Sequence, residues 1–347
     1  MDISRFTESH CREQLLPFTL TRHTADIRIG MFTIKEKWEL AISLFPQLNL
    51  PQSIPADIIP GVDFFALLNE KNWEEALAEA DLYKTLHYPW QITQYNDWAL
   101  RQDFAMATIN QKSAVISSTV KIIGEGQVFF EEGVIAEHCY INTKDGPVYV
   151  SSNAEIMEGA MLRGPLYIGK GSVIKLGAAI YGATTIGPSC IIGGEVKNSV
   201  LFGFSNKAHE GYLGDSVIGE WCNLGAGTTC SNIRNTASPV KVWHMKRKVF
   251  VEAGLKCGLL MGDYSRSSIN SSFNTGTVVG VSANIFQPGG LLPKYIPNFS
   301  WGPAADIKYS LDKALSDINN WMNFKNHSLS REQINTLHLI FSLNEYT

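Results

Sequence analysis

An aliphatic residue recurs at every sixth position along the middle of the chain. The series has no gap over eight repeats: Val150, Ile156, Leu162, Ile168, Ile174, Ile180, Ile186 and Ile192. A period of six matches neither the 3.6-residue period of an α-helix nor the two-residue alternation of a half-buried strand. A fixed-period apolar ladder is typical of stacked coils that bury one residue per side, with three sides to a coil. The pattern therefore predicts a β-helix of hexapeptide repeats.

The ladder and its interruptions divide the chain into three regions. Residues 118–292 carry the six-residue spacing, with a long break between Cys230 and Val249 that predicts a protruding loop. Residues 1–115 predict a short mixed α/β domain, with an amphipathic helix from Trp73 to Leu86. Residues 293–347 predict a connector and two helices, the second of which starts at a capping box of Ser330 and Gln333. We expect these helices to cover a solenoid end or a groove between subunits.

Composition narrows the class of protein. The chain has 347 residues, 45% of them hydrophobic, and a formal charge of −4, which argues against a nucleic-acid-binding protein. Charged residues near the N-terminus replace the apolar segment of a signal peptide, and no membrane span is expected, so we expect a cytoplasmic location. The six cysteines and eight histidines show no disulfide framework and no metal-ligand spacing, so no metal site is predicted.

The most specific string lies in the irregular middle of the ladder. It reads His209, Tyr212-Leu-Gly-Asp215, Ile218-Gly and Asn223-Leu-Gly-Ala-Gly227. This string resembles the acetyltransferase half of bifunctional GlmU enzymes, and the stretch from about Glu195 to Ser300 resembles a GlmU-like family of Bacteroidetes. In that family a sugar-nucleotidyltransferase-like region precedes a left-handed β-helix. The resemblance implies a cytoplasmic homotrimer of UDP-N-acetylglucosamine-type metabolism that uses acetyl-CoA and an amino sugar or sugar phosphate.

The chemistry of acetyl transfer requires a base, which a histidine can supply. A sugar amine must lose a proton as it attacks a thioester, and an imidazole with its pKa near neutrality is suited to accept it. By resemblance His209 is the general base, and the acceptor sugar is bound by Lys197, Tyr212 and Asn223. Each assignment has an alternative. His209 could be an ordinary surface histidine, Tyr212 could pack on a coil, and Asn223 could only satisfy backbone groups at a corner.

The resemblance also assigns residues to the acyl donor. Ala226, through its backbone, and Asn232 match positions near the thioester and the pantetheine arm. Lys246 and Arg247, in the protruding loop, could supply positive charge for the coenzyme A phosphates, since a phosphate needs donors rather than one fixed residue type. A solvated basic loop is the alternative for these two residues.

The N-terminal region carries a second resemblance. The segment from Leu16 to Gly30, with Arg22, Asp26 and Arg28, resembles the opening motif of the same GlmU-like group. Residues 8–14 contain no glycine, so the backbone amides of a phosphate-binding loop are not expected there. A shortened, impaired nucleotidyltransferase-like domain is therefore expected, with Mg²⁺ required only if it is active. Arg22, Asp26 and Arg28 are either a remnant nucleotide site or an ion-pair cluster.

Three functions remain open from the sequence. The first is a homotrimeric acyltransferase with His209 as its base. The second is a non-catalytic trimeric scaffold that binds a sugar nucleotide. The third is a residual sugar-1-phosphate nucleotidyltransferase.

Overall fold

A computed structural model describes residues 1–286, 289–302 and 307–343. Parts of the predicted C-terminal connector and helices, residues 303–306 and 344–347, lie outside this range. The middle of the chain winds into coils whose strands pair in parallel with those of the next coil. The chain thus has the mainly β fold that was predicted, a left-handed parallel β-helix with a short α/β region before it and helices after it.

The coils present three sheets. Sheet A has six strands: Lys121–Ile123, Tyr140–Asn142, Met161–Arg163, Ala179–Tyr181, Glu195–Lys197 and Tyr212–Gly214. Sheet B has nine: Val128–Phe130, Val148–Val150, Leu166–Ile168, Thr184–Ile186, Val200–Gly203, Val217–Glu220, Leu260–Met261, Val278–Val279 and Tyr295–Ile296. Sheet C has eight: Ile135–Ala136, Glu155–Ile156, Val173–Ile174, Ile191–Ile192, Asn206–Lys207, Asn223–Leu224, Arg266–Ser267 and Asn284–Ile285. The pair Thr229–Cys230 and Ser272–Phe273 forms a separate two-stranded parallel sheet in the later coils.

The ladder residues fill the interior of the coils. The eight aliphatic residues of the unbroken series are all buried and belong to one apolar cluster. Successive coils bring like residues into register, as with Val150, Ile168 and Ile186 on sheet B. The corners take left-handed backbone conformations, at glycines such as Gly177 and at polar residues such as Asn198. The six-residue period thus reports the distance from one inward position to the next.

The N-terminal region consists of short elements that pack on the outer face of sheet B. Its strands pair as Phe6–Thr7 with Ile54–Pro55, Arg28–Ile29 with Phe32–Thr33, and Ile58–Pro60 with Tyr83–Thr85. Its helices are α1 (Ile34–Leu44), α2 (Val62–Glu70), α3 (Trp73–Ala78), α4 (Gln91–Gln94) and α5 (Asn96–Ala107). Short 3₁₀ turns cover Ile3–Arg5, Arg12–Leu15, Phe18–Leu20, Thr24–Asp26 and Ala80–Leu82. The predicted helix from Trp73 to Leu86 is wrong beyond Ala78, because the later residues form a turn and a strand.

The C-terminal helices cover a corner of the coils between sheets B and C. Helix α6 spans Leu311–Asn323 and α7 spans Arg331–Ser342. Their apolar faces pack against Trp221, Tyr264 and Phe299. Ser330 and Gln333 form both hydrogen bonds of the predicted capping box. The helices therefore lie along one side of the coils rather than over the solenoid end that was expected.

The predicted protruding loop contains an antiparallel hairpin of Lys241–His244 and Val249–Glu252. It folds back toward the N-terminal region, where His244 Nε2 lies 2.8 Å from Gln14 Oε1. Val242 and Ala253 join the apolar core that the N-terminal region shares with sheet B.

Candidate functional site

His209 lies at the corner between sheets C and A, directly after the strand Asn206–Lys207. Its side chain is exposed, and it lines a shallow depression together with Ala226 of the next coil. The carbonyl of Ala226 accepts a hydrogen bond from Asn270 N at 2.7 Å, while its amide N–H has no acceptor among the described residues. An imidazole and a backbone donor thus face solvent together at one corner.

A buried lysine holds this corner in place. Lys207 occupies an inward position, in register with Ile192, and is 2% exposed. Its Nζ donates to the carbonyl oxygens of Gly193, at 2.9 Å, and of His209, at 2.7 Å. Burial lowers the pKa of Lys207 to about 8, although the charges of Glu210 and Glu195 act in the opposite direction. The ammonium group therefore fixes the backbone from which His209 projects.

Two of the predicted acceptor residues lie on the outer face of sheet A. Register pairing aligns Lys197 with Tyr181, and Tyr212 with Glu195. The Tyr181 hydroxyl donates to Glu195, and Lys197 Nζ lies 5.4 Å from the centre of the Tyr181 ring. The result is a patch with one cation, one carboxylate and two phenols.

An amide and carboxylate network extends this patch. Asn232 Nδ2 donates to the Tyr212 hydroxyl at 3.1 Å and also to the carboxylate of Asp215. Asn198 Nδ2 donates to the other carboxylate oxygen of Asp215, at 2.6 Å. Burial, followed by the charge of Asp215, raises the pKa of Tyr212, so its phenol stays protonated at neutral pH. Within one chain, Lys197, Tyr212 and Asn232 therefore lie together.

Asn223 lies on a different face from these residues. It projects outward from sheet C because its neighbour Leu224 points into the core. Asn206 Nδ2 donates to Asn223 Oδ1 at 3.4 Å, and Arg266 is its register partner on the other side. The corner of His209 and Ala226 is thus flanked by sheet A on one side and by sheet C on the other.

Lys246 and Arg247 lie at the tip of the hairpin, away from the depression that His209 and Ala226 line. Lys246 Nζ pairs with Glu13 at 2.6 Å, and both side chains are about half exposed. A separate pocket of ≈ 550 Å³ is lined by Ser231, the residue before Asn232. Three cationic side chains also line it: Arg234, Lys241 and Lys294.

The three N-terminal candidate residues lie in or near the contact with sheet B. Arg22 forms ion pairs with Asp263 and, at 3.6 Å, with Glu220 of the solenoid. Arg28 donates to the carbonyl of Phe202 at 3.0 Å. Asp26 is partly buried, and burial raises its pKa. These contacts favour the ion-pair interpretation over a remnant nucleotide site.

One group of possible metal ligands occurs among the described residues. The ligand atoms of His10, Cys11 and Asp57 lie within 4.8 Å of one another. His10 Nε2 lies 3.0 Å from Asp57 Oδ1, and the thiol donates to Thr24 Oγ1 at 3.7 Å. Burial, with a smaller contribution from Asp57, raises the pKa of Cys11 to about 12. Hydrogen bonds within the protein therefore occupy all three side chains.

Several residues of this site were not predicted from the sequence: Tyr181, Glu195, Asn198 and Lys207. Glu195 lies two residues before the predicted Lys197 on the same strand, so strand alternation could have pointed to it. Asn198 is a corner residue directly after that strand. Lys207 follows Ile192 by 15 positions rather than 18, and this short coil shifts the ladder out of phase. Only the three-dimensional register reveals that Lys207 points inward.

Fold and site together define a parallel β-helix with an exposed histidine and a free backbone amide at one corner. Comparison with known proteins agrees with this class. A family model described as sugar nucleotidyl transferase matches residues 5–49. A bifunctional sugar-1-phosphate nucleotidylyltransferase/acetyltransferase of Sulfurisphaera tokodaii is 34% identical over 206 residues, which cover 59% of this chain and 44% of the relative. The bifunctional protein GlmU of Methanocaldococcus jannaschii is 43% identical over 86 residues, 25% of this chain and 21% of the relative.

The chain therefore spans less than half the length of these curated relatives. The solved structure of the polySia specific acetyltransferase NeuO is 13% identical, covering 53% of this chain and 82% of that one. Its TM-score of 0.30 is too low to support any functional argument. Among the described helices, none has the length and apolar character needed to cross a membrane.

Proposed function

We propose that this chain is a GlmU-like acyltransferase that moves an acetyl group from acetyl-CoA to the amine of an amino-sugar phosphate. The observation that carries the proposal is the pairing of His209 with the free amide of Ala226 at one corner. Lys197 and Tyr212 lie on the adjoining sheet A, and Asn232 is hydrogen-bonded to Tyr212. In the reaction the amine nitrogen attacks the thioester carbon, His209 accepts the amine proton, and the coenzyme A thiol leaves. The Ala226 N–H would stabilise the developing oxyanion.

The acceptor would lie on the polar face of sheet A. Lys197 supplies a positive charge for an anionic sugar, and the protonated Tyr212 supplies a donor. For the coenzyme A phosphates, Lys246 and Arg247 stay candidates, and Arg234 and Lys241 line a pocket that begins next to Asn232. A phosphate binds readily to any such set of cationic donors.

We further propose that the protein works as a cytoplasmic homotrimer of the GlmU-like group of Bacteroidetes, in UDP-N-acetylglucosamine-type metabolism. Sheet A supports a second copy as the partner, because it exposes apolar side chains: Ile122 at 46%, Tyr140 at 48% and Met161 at 61%. Sheet B is covered by the N-terminal region and the late coils of sheet C by the helices. A trimer would put sites between adjacent β-helices.

The match to a sugar nucleotidyl transferase model supports a nucleotidyltransferase-like origin for the N-terminal region. We propose that this region now covers sheet B, since Arg22 and Arg28 are bound to solenoid groups. Mg²⁺-dependent nucleotidyl transfer and non-catalytic binding of a sugar nucleotide are the competing functions. Incubation with a nucleoside triphosphate, Mg²⁺ and a sugar 1-phosphate tests the first, and pyrophosphate release would favour it.

Thiol release from acetyl-CoA tests the proposal. The acceptor panel contains glucosamine 1-phosphate, glucosamine 6-phosphate and unphosphorylated amino sugars. Turnover is expected with an amino-sugar phosphate, and His209→Ala is expected to lower it by roughly 100- to 10,000-fold. If the natural chain releases no thiol with any acceptor, the result would instead favour the sugar-nucleotide-binding scaffold.

A further inference from the structure

A buried carboxylate in the N-terminal region depends on an imidazole for its hydrogen bonding. The Asp57 side chain is 5% exposed, and its partner among the described residues is His10, whose Nε2 lies 3.0 Å from Asp57 Oδ1. Two other buried carboxylates have cationic partners: Asp103 pairs with Lys37, and Asp263 with Arg22. Because burying a carboxylate is strongly unfavourable unless its charge is compensated, the position of Asp57 favours a cation beside it.

A thiol completes a set of three metal-binding side chains around Asp57. Cys11 Sγ, a ring nitrogen of His10 and a carboxylate oxygen of Asp57 lie within 4.8 Å of one another, and no second group of this kind occurs among the described residues. Bond lengths of about 2.0–2.3 Å place two ligands of a tetrahedral zinc ion about 3.3–3.7 Å apart. Small side-chain rotations are enough to bring the three atoms to that spacing.

The chemistry of the three ligands selects the metal. Thiolate sulfur and imidazole nitrogen bind Zn²⁺ well, whereas Mg²⁺ and Ca²⁺ prefer ligand sets made of oxygen atoms. One thiolate and one carboxylate also balance the two positive charges of the ion while the histidine stays neutral. Binding releases the thiol proton, and the ion replaces the hydrogen bonds that Asp57 makes with His10 and that Cys11 makes with Thr24.

The group is open to solvent on one side and joins two segments that are far apart in the chain. The His10 side chain is 53% exposed, so an ion can enter there, whereas Cys11 is 3% exposed. The burial of the sulfur argues against a nucleophilic cysteine, since a substrate would have to reach it. His10 and Cys11 follow the strand Phe6–Thr7, and Asp57 follows its partner strand Ile54–Pro55.

We propose that His10, Cys11 and Asp57 bind one Zn²⁺ ion, with water as the fourth ligand, and that the ion stabilises the N-terminal region. This inference goes beyond the proposed acyltransferase function and does not depend on it, since His209 lies in the solenoid. The sequence predicted no metal site because Asp57 stands 47 positions after His10. Only the pairing of the two strands brings the ligands together.

Spectroscopy with Co²⁺ in place of Zn²⁺ tests the ligand set. The natural chain, free of any tag and stripped of metal with a chelator, should bind one Co²⁺ and show the charge-transfer absorption of a cobalt–thiolate bond. Cys11→Ser should lose this absorption. Cys139→Ser, at a buried cysteine outside the group, should keep it. Absorption that persists in Cys11→Ser would overturn the inference.

Zinc affinity and thermal unfolding test the other two ligands. Zn²⁺ should raise the melting temperature of the natural chain, and Mg²⁺ at the same concentration should not. Competition with a chromophoric chelator should show that Asp57→Asn and His10→Gln weaken zinc binding by more than the roughly 10- to 100-fold typical for loss of a residue that only supports a ligand. His87→Gln, at another exposed histidine of the N-terminal region, should bind Zn²⁺ like the natural chain.

His10→Gln keeps the test decisive if Asp57→Asn does not fold, because it alters a half-exposed side chain. Equal zinc affinity in His10→Gln and in the natural chain would overturn the inference. So would a natural chain whose melting temperature does not respond to Zn²⁺. An equal response to Mg²⁺ and Zn²⁺ would also overturn it, since the thiol and the imidazole would then not be ligands.

Discussion

Lys207 places a charge where neighbouring coils place aliphatic side chains. Its register partner on sheet C is Ile192, and the residue before it, Asn206, pairs with Asn223 of the next coil. Its two hydrogen bonds go to corner carbonyls, one of them that of His209. A buried lysine costs stability, so we interpret Lys207 as a positioning residue for the His209 corner rather than as part of the core.

Lys207→Met tests this interpretation through the pH dependence of stability. Burial lowers the pKa of folded Lys207 to about 8, below the ordinary value near 10.4 of an unfolded lysine. Between these two values only the unfolded chain binds the proton, so this group makes the free energy of unfolding rise with pH, and its penalty is complete below about pH 8. The free energy of unfolding, measured with urea from pH 7 to 10, should therefore rise less steeply with pH in Lys207→Met than in the natural chain.

If the free energy of unfolding changes with pH equally in the natural chain and in Lys207→Met, the predicted titration of Lys207 is wrong. Acetyl transfer should also fall in Lys207→Met, because the corner that carries His209 loses its support. The variant keeps His209 itself, so the loss would report positioning.

Gly214 leaves room for the phenol of Tyr212. A Cβ built on Gly214 would overlap the Tyr212 hydroxyl. Gly214→Ala should therefore displace Tyr212 and reduce activity at least tenfold, by an order-of-magnitude argument from misplaced binding groups. Gly203→Ala is the matched control, since the nearest atoms to its Cβ lie 3.4 Å away. Similar activity in both variants would show that the orientation of Tyr212 is unimportant.

At the level of residues, the sequence identified those that stand in a recognisable string and missed those defined by register. His209, Tyr212 and Ala226 were found through the string. Asp57 lies outside it, and it meets His10 only through the pairing of strands that are far apart in sequence. Sequence spacing cannot predict such contacts.

At the level of elements, local sequence signals predicted the start of the last helix correctly but not the end of the helix that begins at Trp73. The capping box at Ser330 formed as expected because its hydrogen bonds are local. The helix predicted beyond Ala78 is wrong because Tyr83–Thr85 pairs with Ile58–Pro60. This tertiary contact overrides the helical periodicity of the sequence.

Ser330→Ala should weaken the attachment of α7. Ser330 accepts from Gln333 N at 3.2 Å, and loss of such a cap typically costs about 1 kcal/mol. Chemical unfolding of this variant measures the loss. Ser328→Ala, which alters an exposed serine before the helix, should have little effect. Equal stability of the two variants would mean that the cap contributes nothing.

At the level of the whole molecule, the six-residue ladder predicted the coils but not what covers their faces. The N-terminal region packs on sheet B through contacts between residues far apart in sequence, such as Arg22 with Asp263. No periodicity in the sequence reports such contacts. Sheet A, which carries Lys197 and Tyr212, keeps exposed apolar side chains.

Met161→Lys tests whether sheet A forms the proposed trimer contact. Met161 is 61% exposed beside Tyr140, and a lysine there would place a charge in the interface. Light scattering should show a trimer for the natural chain and a smaller species for the variant. Val115→Lys, at a residue that is 97% exposed outside the sheets, should leave the assembly unchanged. A trimer that persists in Met161→Lys would place the contact elsewhere.

In the proposed reaction His209 is the base for acetyl transfer. His138 offers a matched control, since it is exposed at a turn from sheet C to sheet A several coils earlier. The decisive measurement is kcat/KM for acetyl transfer in the natural chain, His209→Ala and His138→Ala. We predict a fall of roughly 100-fold or more in His209→Ala and none in His138→Ala. Full activity in His209→Ala would contradict the account.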